Sequence, residues 1–499
     1  MIRNISRFQK NHYDLLVVGG GINGAAITYM AARIGAKVAL LEKDDFAAGT
    51  SSKSSKLLHG GIRYLENFEF HLVSESLKER SIQYQNAPHL VKPLSFIIPL
   101  YKKDPRPWRV MKLGVWLYDF LSGNYSLGHY RSLSREELLS LAPHIRKEGL
   151  VGAVSYFDAQ MDDARLCLEN VLMADAHGAH VANHVEVLDF LKENGQCVGV
   201  RAKDVLTGFT FDVMAQTVVV TVGPWSDLLL HKDYAKSTPR LRPTKGAHIL
   251  YKGQMSEHAF LAQSSSDRRV FFVIPFKGHT LIGTTDTDYE GDPDKVRVQQ
   301  EDIDYLLKEA SRLFPQINFQ KENIITTFAG LRPLVHEHGH PSQVSRRHSI
   351  EKTFSGFWYV LGGKYTTYRA IAKQCVAKAL PRLRRSLPVD RDYPLFGSGA
   401  LSGDVREIAL RFGVHPQTVS YLMGLYGSRY TDVLKLINDD DSLRGRLCTC
   451  SPAIRAQVVY AQDVEMARSV DDVFLRRLQL QYNDCPSRQC RQTIEEMLK

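Results

Sequence analysis

At 499 residues the chain has room for about three domains of the usual ~150 residues and for a sizeable core, which excludes a small disulfide-stapled scaffold. Its 44% hydrophobic and 24% charged residues sit near globular averages and exclude a disordered chain or a fibrous repeat. With 64 Lys+Arg against 54 Asp+Glu, the net charge of +10 favours a polyanionic partner: nucleic acid, an anionic membrane surface or a phosphorylated small molecule.

The polar start, Met1 to Arg7, lacks the apolar run of a secretory signal. No stretch approaches the ~18 consecutive apolar residues of a spanning helix, so a cytoplasmic chain is expected. Residues 13–18 form a short branched apolar run that predicts a strand. Gly19-Gly20-Gly21-Ile22-Asn23-Gly24 follows it, and a helix-forming stretch continues over 25–34. Gly19, Gly21 and Gly24 satisfy G-x-G-x-x-G: one for the turn, one for close approach of a pyrophosphate to the backbone, one for packing of helix on strand. The phosphates would then sit at the helix N-terminus, where unpaired N–H groups favour negative charge. A second strand over 37–41 ends in Glu42, where an acid can hold a ribose hydroxyl, so a β-α-β dinucleotide site is expected. The fingerprint alone does not separate NAD from FAD.

Residues 50–66 carry Thr50, Ser51, Ser52, Ser54 and Ser55 before Gly60-Gly61, with Lys56, His59 and Arg63 supplying cations and a titratable group. The segment 102–112 holds five basic residues against one acid and runs into the apolar 113–118, a pattern suited to an anionic interface. Residues 270–274 and 280–283 read as paired antiparallel strands, and 302–314 as a helix with one apolar stripe. The strand 358–361 leads through Gly362-Gly363 into a helix reaching about residue 380, a second strand-turn-helix whose end can face a ligand. Two such ends suggest an extended cofactor. Beyond the Pro-bearing basic linker 380–394, helical patterns such as 453–481 suggest a small helical domain. Residues 395–499 hold 13 Lys+Arg and 13 Asp+Glu, so the excess charge lies before them. The seven scattered cysteines argue for free thiols in a reducing compartment. Cys448-Thr449-Cys450 and the pair Cys485 and Cys490 offer half of a metal site, but the spacings are not those of a zinc knuckle and no His accompanies them; no metal is expected.

Along nearly its whole length the chain resembles the respiratory, FAD-dependent glycerol-3-phosphate dehydrogenases. The motifs that carry the likeness are Gly19 to Gly24, Thr50 to Glu66, Met161-Asp162-Asp163-Ala164-Arg165, Gly223-Pro224-Trp225, Lys245-Gly246-Ala247-His248, Gly283-Thr284-Thr285-Asp286, Gly330-Leu331-Arg332-Pro333-Leu334 and Gly362 to Arg369. A departure stands at Thr221-Val222-Gly223, where the family often has Ala-Thr-Gly. The resemblance implies an α/β fold: a Rossmann-like FAD-binding domain over 13–80, 155–236 and 328–392, interleaved with an α+β substrate-binding domain over 81–154 and 237–327, then a C-terminal all-helical domain over 395–499.

It also implies a noncovalent FAD, oxidation of sn-glycerol 3-phosphate to dihydroxyacetone phosphate, and electrons passed to ubiquinone. The expected cofactor contacts are Gly19, Gly21, Gly24, Glu42, Thr50, Ser51, Ser55, Gly223, Gly363 and Thr366. Arg63, Tyr64 and Lys364 would bind the substrate phosphate, Thr285 would line the pocket, and Arg332 would sit at the reacting hydroxyl. His59 and His248 are the candidate proton acceptors, since their ordinary pKa is nearest working pH. Expected partners are glycerol 3-phosphate, ubiquinone or another membrane quinone, an anionic membrane surface and a second copy in a homodimer, with no nucleic acid. The expected location is cytoplasmic, peripheral on the inner face of the cell membrane. The alternative is a glycerol-3-phosphate oxidase that uses oxygen and releases hydrogen peroxide.

Overall fold

The computed structural model describes residues 1–499 except 66–67, 105–106, 235–236, 265, 336–347, 390–391 and 486–488, and except the side chain of Arg63. The strand His12–Val18 lies at the centre of one sheet, parallel to Val38–Leu41 on one side and Thr210–Val220 on the other. His180–Ala182 and Trp358–Gly362 extend the parallel order outward. Because both faces of this strand are covered, its sequence is a continuous apolar run rather than an alternation. Leu15 and Val17 pack with the helices Ile22–Arg33, Asp163–Ala176 and Tyr368–Ala379. Leu16 and Val18 pack on the opposite side with Val187, Phe190 and Val200 of an antiparallel extension, Val185–Glu193 and Gln196–Asp204.

A second, largely antiparallel sheet carries the expected pair, with Val273 opposite Ile282 in the strands Val270–Phe276 and His279–Gly283. Its longest pairings join Val91–Tyr101 to Leu150–Met161 and Leu241–Tyr251 to Ile324–Val335. The latter register sets Thr244 opposite Arg332 and His248 opposite Phe328, and His248 also lies opposite Gly283, which brings three motifs distant in sequence together. The amphipathic helix forms as Gln300–Leu313, burying Leu306, Leu307, Ala310 and Leu313.

The C-terminal helices build their own core, in which Val419, Val433, Val458 and Ile494 are fully buried. The pattern over 453–481 is not one helix. It forms Ala456–Asp463, turns at Met466, and resumes in the wide helical turn Asp472–Arg477, because Arg476 and Arg477 are drawn out to the carboxylate of Asp45 behind the first sheet. The expectation of free thiols is corrected for one pair: Cys448 and Cys490 are joined in a disulfide.

Candidate active site

Between the two sheets lies a cavity of about 770 Å³ that begins at the glycine turn and ends among the cations. At its first end, Gly19 adopts φ +105°, and a side chain at Gly24 would run into the Gly19 carbonyl and the Thr221 hydroxyl, so only glycine lets the helix sit this close to the strand. Gly21 is the cap of that helix and lines the cavity; Gly24 stands behind it. Thr221, the departure from the family pattern, reinforces the turn by donating to the carbonyls of Val18 (3.0 Å) and Gly19 (2.9 Å).

Glu42 accepts from Gly20 N (2.6 Å) and Asp44 N (2.9 Å). Burial pushes its carboxyl up to about 7 against those two hydrogen bonds. Ser51 accepts from Ile22 N (2.9 Å), and Thr50 donates to the carbonyl of Leu331 (2.7 Å), which ties the hydroxyl-rich loop to the second sheet. Gly223 and Gly363, with φ of +55° and +90°, line the same cavity from the ends of two further strands.

At the inner end, Arg332 donates to Asp286 Oδ1 (2.9 Å), to Thr284 Oγ1 (2.7 Å) and to the Thr285 carbonyl (3.2 Å). Thr285 itself is turned to the backbone, accepting from Ala247 N (2.9 Å); Thr284 and Asp286 are the wall on either side of it. Lys364 Nζ stands 3.6 Å from the Tyr64 ring centroid and 3.3 Å from Ser76 Oγ. Arg63 belongs to the short turn Ile62–Leu65, and its side chain lies outside the described residues.

His59 lines the cavity and is held through its backbone, its N–H donating to Thr366 Oγ1 (3.2 Å). His248 is buried, stacked 4.8 Å from Phe328, with Nε2 2.8 Å from Ser55 Oγ. Burial, then the charges of Arg332 and Lys56, hold its pKa well below the usual histidine value, so it is neutral at working pH.

Two groups escaped the sequence reading. Lys56, a ligand cation by its place in the loop, instead turns inward to a fully buried pair with Asp163 (2.7 Å). The glycine pair at 60–61 rests on Tyr118, Asp158 and Arg80. Gly60 N donates to Tyr118 Oη (2.8 Å), Tyr118 donates to Asp158 (2.8 Å), and Arg80 pairs with that carboxylate (2.6 Å). The periodicity of 113–118 could have flagged Tyr118 as the inward side of its helix; nothing local flagged Asp158.

Residues 14–377 match the family of FAD dependent oxidoreductases, and residues 389–498 match the C-terminal domain of alpha-glycerophosphate oxidase. The chain is 37% identical to a glycerol-3-phosphate dehydrogenase of Synechocystis (95% of this chain, 90% of that one). It is 36% identical to the aerobic glycerol-3-phosphate dehydrogenase of Bacillus subtilis (95% and 88%) and 33% identical to the alpha-glycerophosphate oxidase of Streptococcus pneumoniae (95% and 90%). The crystal structure of the Bacillus halodurans glycerol-3-phosphate dehydrogenase with FAD superposes with a TM-score of 0.83 at 32% identity, over 99% of this chain and 91% of that one. The chain belongs to the FAD-dependent glycerol-3-phosphate dehydrogenase and oxidase family.

The cavity fits the cofactor of this family. A dinucleotide needs a cradle free of side chains at a helix N-terminus, which Gly19 and Gly21 supply, while Gly24 lets the helix approach the strand behind them. A bound dinucleotide would also offer hydrogen-bond partners to polar atoms of the cavity wall. Among the described residues Asn23 Oδ1 and His248 Nδ1 are buried without a hydrogen-bond partner, and both residues line the cavity.

Proposed function

We propose that the chain oxidises sn-glycerol 3-phosphate to dihydroxyacetone phosphate and passes the electrons to a membrane quinone. The observation that carries this reading is Arg332, a cation fixed by Asp286 and Thr284 on the wall of the cavity that Lys364 and Tyr64 also line. A phosphorylated alcohol asks for both functions: cations for the phosphate, and a donor beside the oxygen that becomes a carbonyl. On this reading Lys364, Tyr64 and Arg63 take the phosphate, Arg332 holds the reacting hydroxyl, and His59 removes its proton. His248, whose burial beside Arg332 and Lys56 disfavours its protonated form, is the weaker base of the two and serves as a hydrogen-bonding neighbour. Thr285 acts through the strand it anchors. Glu42, Ser51, Ser55, Thr50, Gly223, Gly363 and Thr366 hold the cofactor, with Glu42 at the ribose. When bound, FAD accepts the hydride that leaves the alcohol carbon and hands its electrons on.

The quinone assignment rests on the helix Trp108–Ser122. One face buries Val115 and Tyr118, while Val110 (57% exposed), Leu113 (62%), Trp116 (50%) and Phe120 (69%) stand out at helical spacing on the other. Lys112 reaches over Trp108, and Lys102, Lys103 and Arg109 are exposed nearby; Arg106 and Pro105 of this segment lie outside the described residues. Among the described residues no helix is long and apolar enough to cross a membrane. An exposed aromatic stripe with basic neighbours suits the boundary of an anionic bilayer, where a quinone is reached from the side.

Anaerobic addition of glycerol 3-phosphate to the holoenzyme is expected to bleach the flavin absorbance, and reoxidation by a ubiquinone analogue to outpace reoxidation by oxygen. No bleaching overturns the substrate. Fast reoxidation by oxygen with stoichiometric peroxide establishes the oxidase instead, a reading favoured by the oxidase relatives at 33% identity.

A further inference from the structure

We propose that in the reduced chain, once a dithiol has supplied the two electrons that open the Cys448–Cys490 disulfide, Cys448, Cys450, Cys485 and Cys490 form a four-thiolate site for a thiophilic metal centre, a [2Fe–2S] cluster or Zn²⁺, in the C-terminal helical domain. The spacing in sequence is not that of a zinc knuckle, but folding brings three of the thiols together from three separate segments. The Sγ atoms of Cys448, Cys485 and Cys490 all lie within 4.8 Å of one another. Cys448 sits in a loop closed by hydrogen bonds from Leu447 N to the Ala453 carbonyl and from Arg455 N to the Gly445 carbonyl, and Cys450 is two positions further along that loop. Cys490 is the second residue of the helix Gln489–Leu498, which is fastened to the loop by Thr493 donating to the Leu447 carbonyl (3.0 Å). A thiol in the first turn of a helix is biased toward thiolate. Cys485 follows Tyr482, whose buried ring packs against Phe328 and Phe276 of the second sheet, so this ligand is placed by the body of the enzyme.

Cys448 and Cys490 are buried while Cys450 and Cys485 are partly exposed, giving an apolar floor and an entry side. Four soft thiolates select zinc or iron–sulfur centres over hard cations. Cys485 and Cys490 have the C-x4-C interval found in both classes. The single residue between Cys448 and Cys450 departs from the zinc interval, which makes the cluster the first arm to test. The rival reading of the same convergence is a structural disulfide, since Cys448 and Cys490 are joined with their Cα atoms 5.0 Å apart. Cys450 separates the two, because a disulfide has no use for it.

The full chain should be purified anaerobically without chelator and assayed for iron, zinc, acid-labile sulfide and flavin, with an electron paramagnetic resonance spectrum after reduction. The expected result is about two irons and two sulfides, or about one zinc, per chain. Cys450→Ser and Cys485→Ser should each lower bound metal about tenfold or more with flavin content unchanged. A chain that stays metal-free after reduction with dithiothreitol and incubation, still under that reductant, with ferrous iron plus sulfide and, separately, with zinc chloride overturns the proposal, as does metal content indifferent to Cys450→Ser. Mass mapping of a Cys448–Cys490 disulfide in the metal-free chain would then settle the rival. Flavin content and bleaching by glycerol 3-phosphate report on the other site, so the two readings fail independently.

Discussion

At the scale of single residues, Arg332 is the sharpest test. Its guanidinium makes three hydrogen bonds to Asp286, Thr284 and Thr285, and a side chain at Gly246 would collide with it, so its orientation is set before any substrate arrives. Lysine keeps the charge but not the planar fork. Arg332→Lys is therefore expected to lower kcat/KM for glycerol 3-phosphate by about 10²–10³-fold, the usual effect of losing one donor to a developing oxygen charge. Steady-state kinetics decide it: unchanged kcat/KM removes Arg332 from the reaction, and a change in KM alone makes it a ground-state binder.

Half-buried Glu42 and buried His248 give opposite pH signatures in stability. Glu42 has its pKa raised to about 7, so the native state holds a proton that the unfolded chain releases near 4.5; stability from this group is present below about 4.5 and lost as pH rises to 7. His248 is depressed, so its contribution is present above about 6.5 and lost as pH falls. Relative to the parent, Glu42→Gln should melt at a Tm that gains as pH rises from 5 to 7, and His248→Gln at one that gains as pH falls. Thermal melts of flavin-free protein check both, and parallel profiles would show that neither group titrates as its burial requires. The type and place of these residues were legible in the sequence, because each lies in a motif that also bends the backbone. Their partners were not. Asp286 sits inside the motif 283–286, yet only the pairing of Leu241–Tyr251 with both Ile324–Val335 and His279–Gly283 reveals that it faces Arg332.

At the scale of elements, local chemistry gave the strands and helices that carry their own periodicity: the first β-α-β unit, the antiparallel pair around 273 and 282, and the helix Gln300–Leu313. It did not give the break after Asp463, because the cause is a carboxylate more than 400 positions away in the chain. The helix Trp108–Ser122 is an intermediate case. Its basic flank and its aromatic content could be read, but which side turns inward depends on the buried Tyr118 and Asp158. Each large apolar group of the outer face adds about 1.5–3 kcal/mol on burial. Trp116→Ser with Phe120→Ser should thus reduce co-sedimentation with anionic phospholipid vesicles at least about tenfold while leaving turnover with a soluble dye acceptor intact. Sedimentation equal to that of the parent would move the contact to another surface.

At the scale of the whole molecule, the net +10 is not spread evenly, and its balanced C-terminal fifth is held to the rest by charges taken out of water. Asp45, directly after the second strand of the first sheet, accepts from Arg477 through both terminal nitrogens (2.5 and 2.8 Å) and from Arg476 Nε (2.5 Å), with Asn183 completing its shell. Burial alone would raise its carboxyl pKa, but Arg477 and then Arg476 outweigh it and hold the group below its ordinary value. Arg165 and Glu465 form a second buried bridge between the same bodies (2.6 Å). Both sides of the Arg477–Asp45 pair are fully buried, so the pair contributes less as net attraction than its rupture would cost: without Arg477, Asp45 keeps Arg476 and Asn183 but loses the cation that satisfies both of its oxygens in a dry interface. Arg477→Met should therefore destabilise by about 3–5 kcal/mol, while Arg477→Met combined with Asp45→Asn recovers a substantial part because no uncompensated charge remains. Loosening of the contact should also speed tryptic cleavage in the exposed basic turn Pro381–Ser386, which joins the two bodies. If the single variant melts like the parent and is cut no faster, the helical domain is held by its apolar contacts alone. If the double variant is worse than the single, the carboxylate of Asp45 is bound chiefly by Arg476 and Asn183, and Arg477 serves the carbonyl of Glu465 instead.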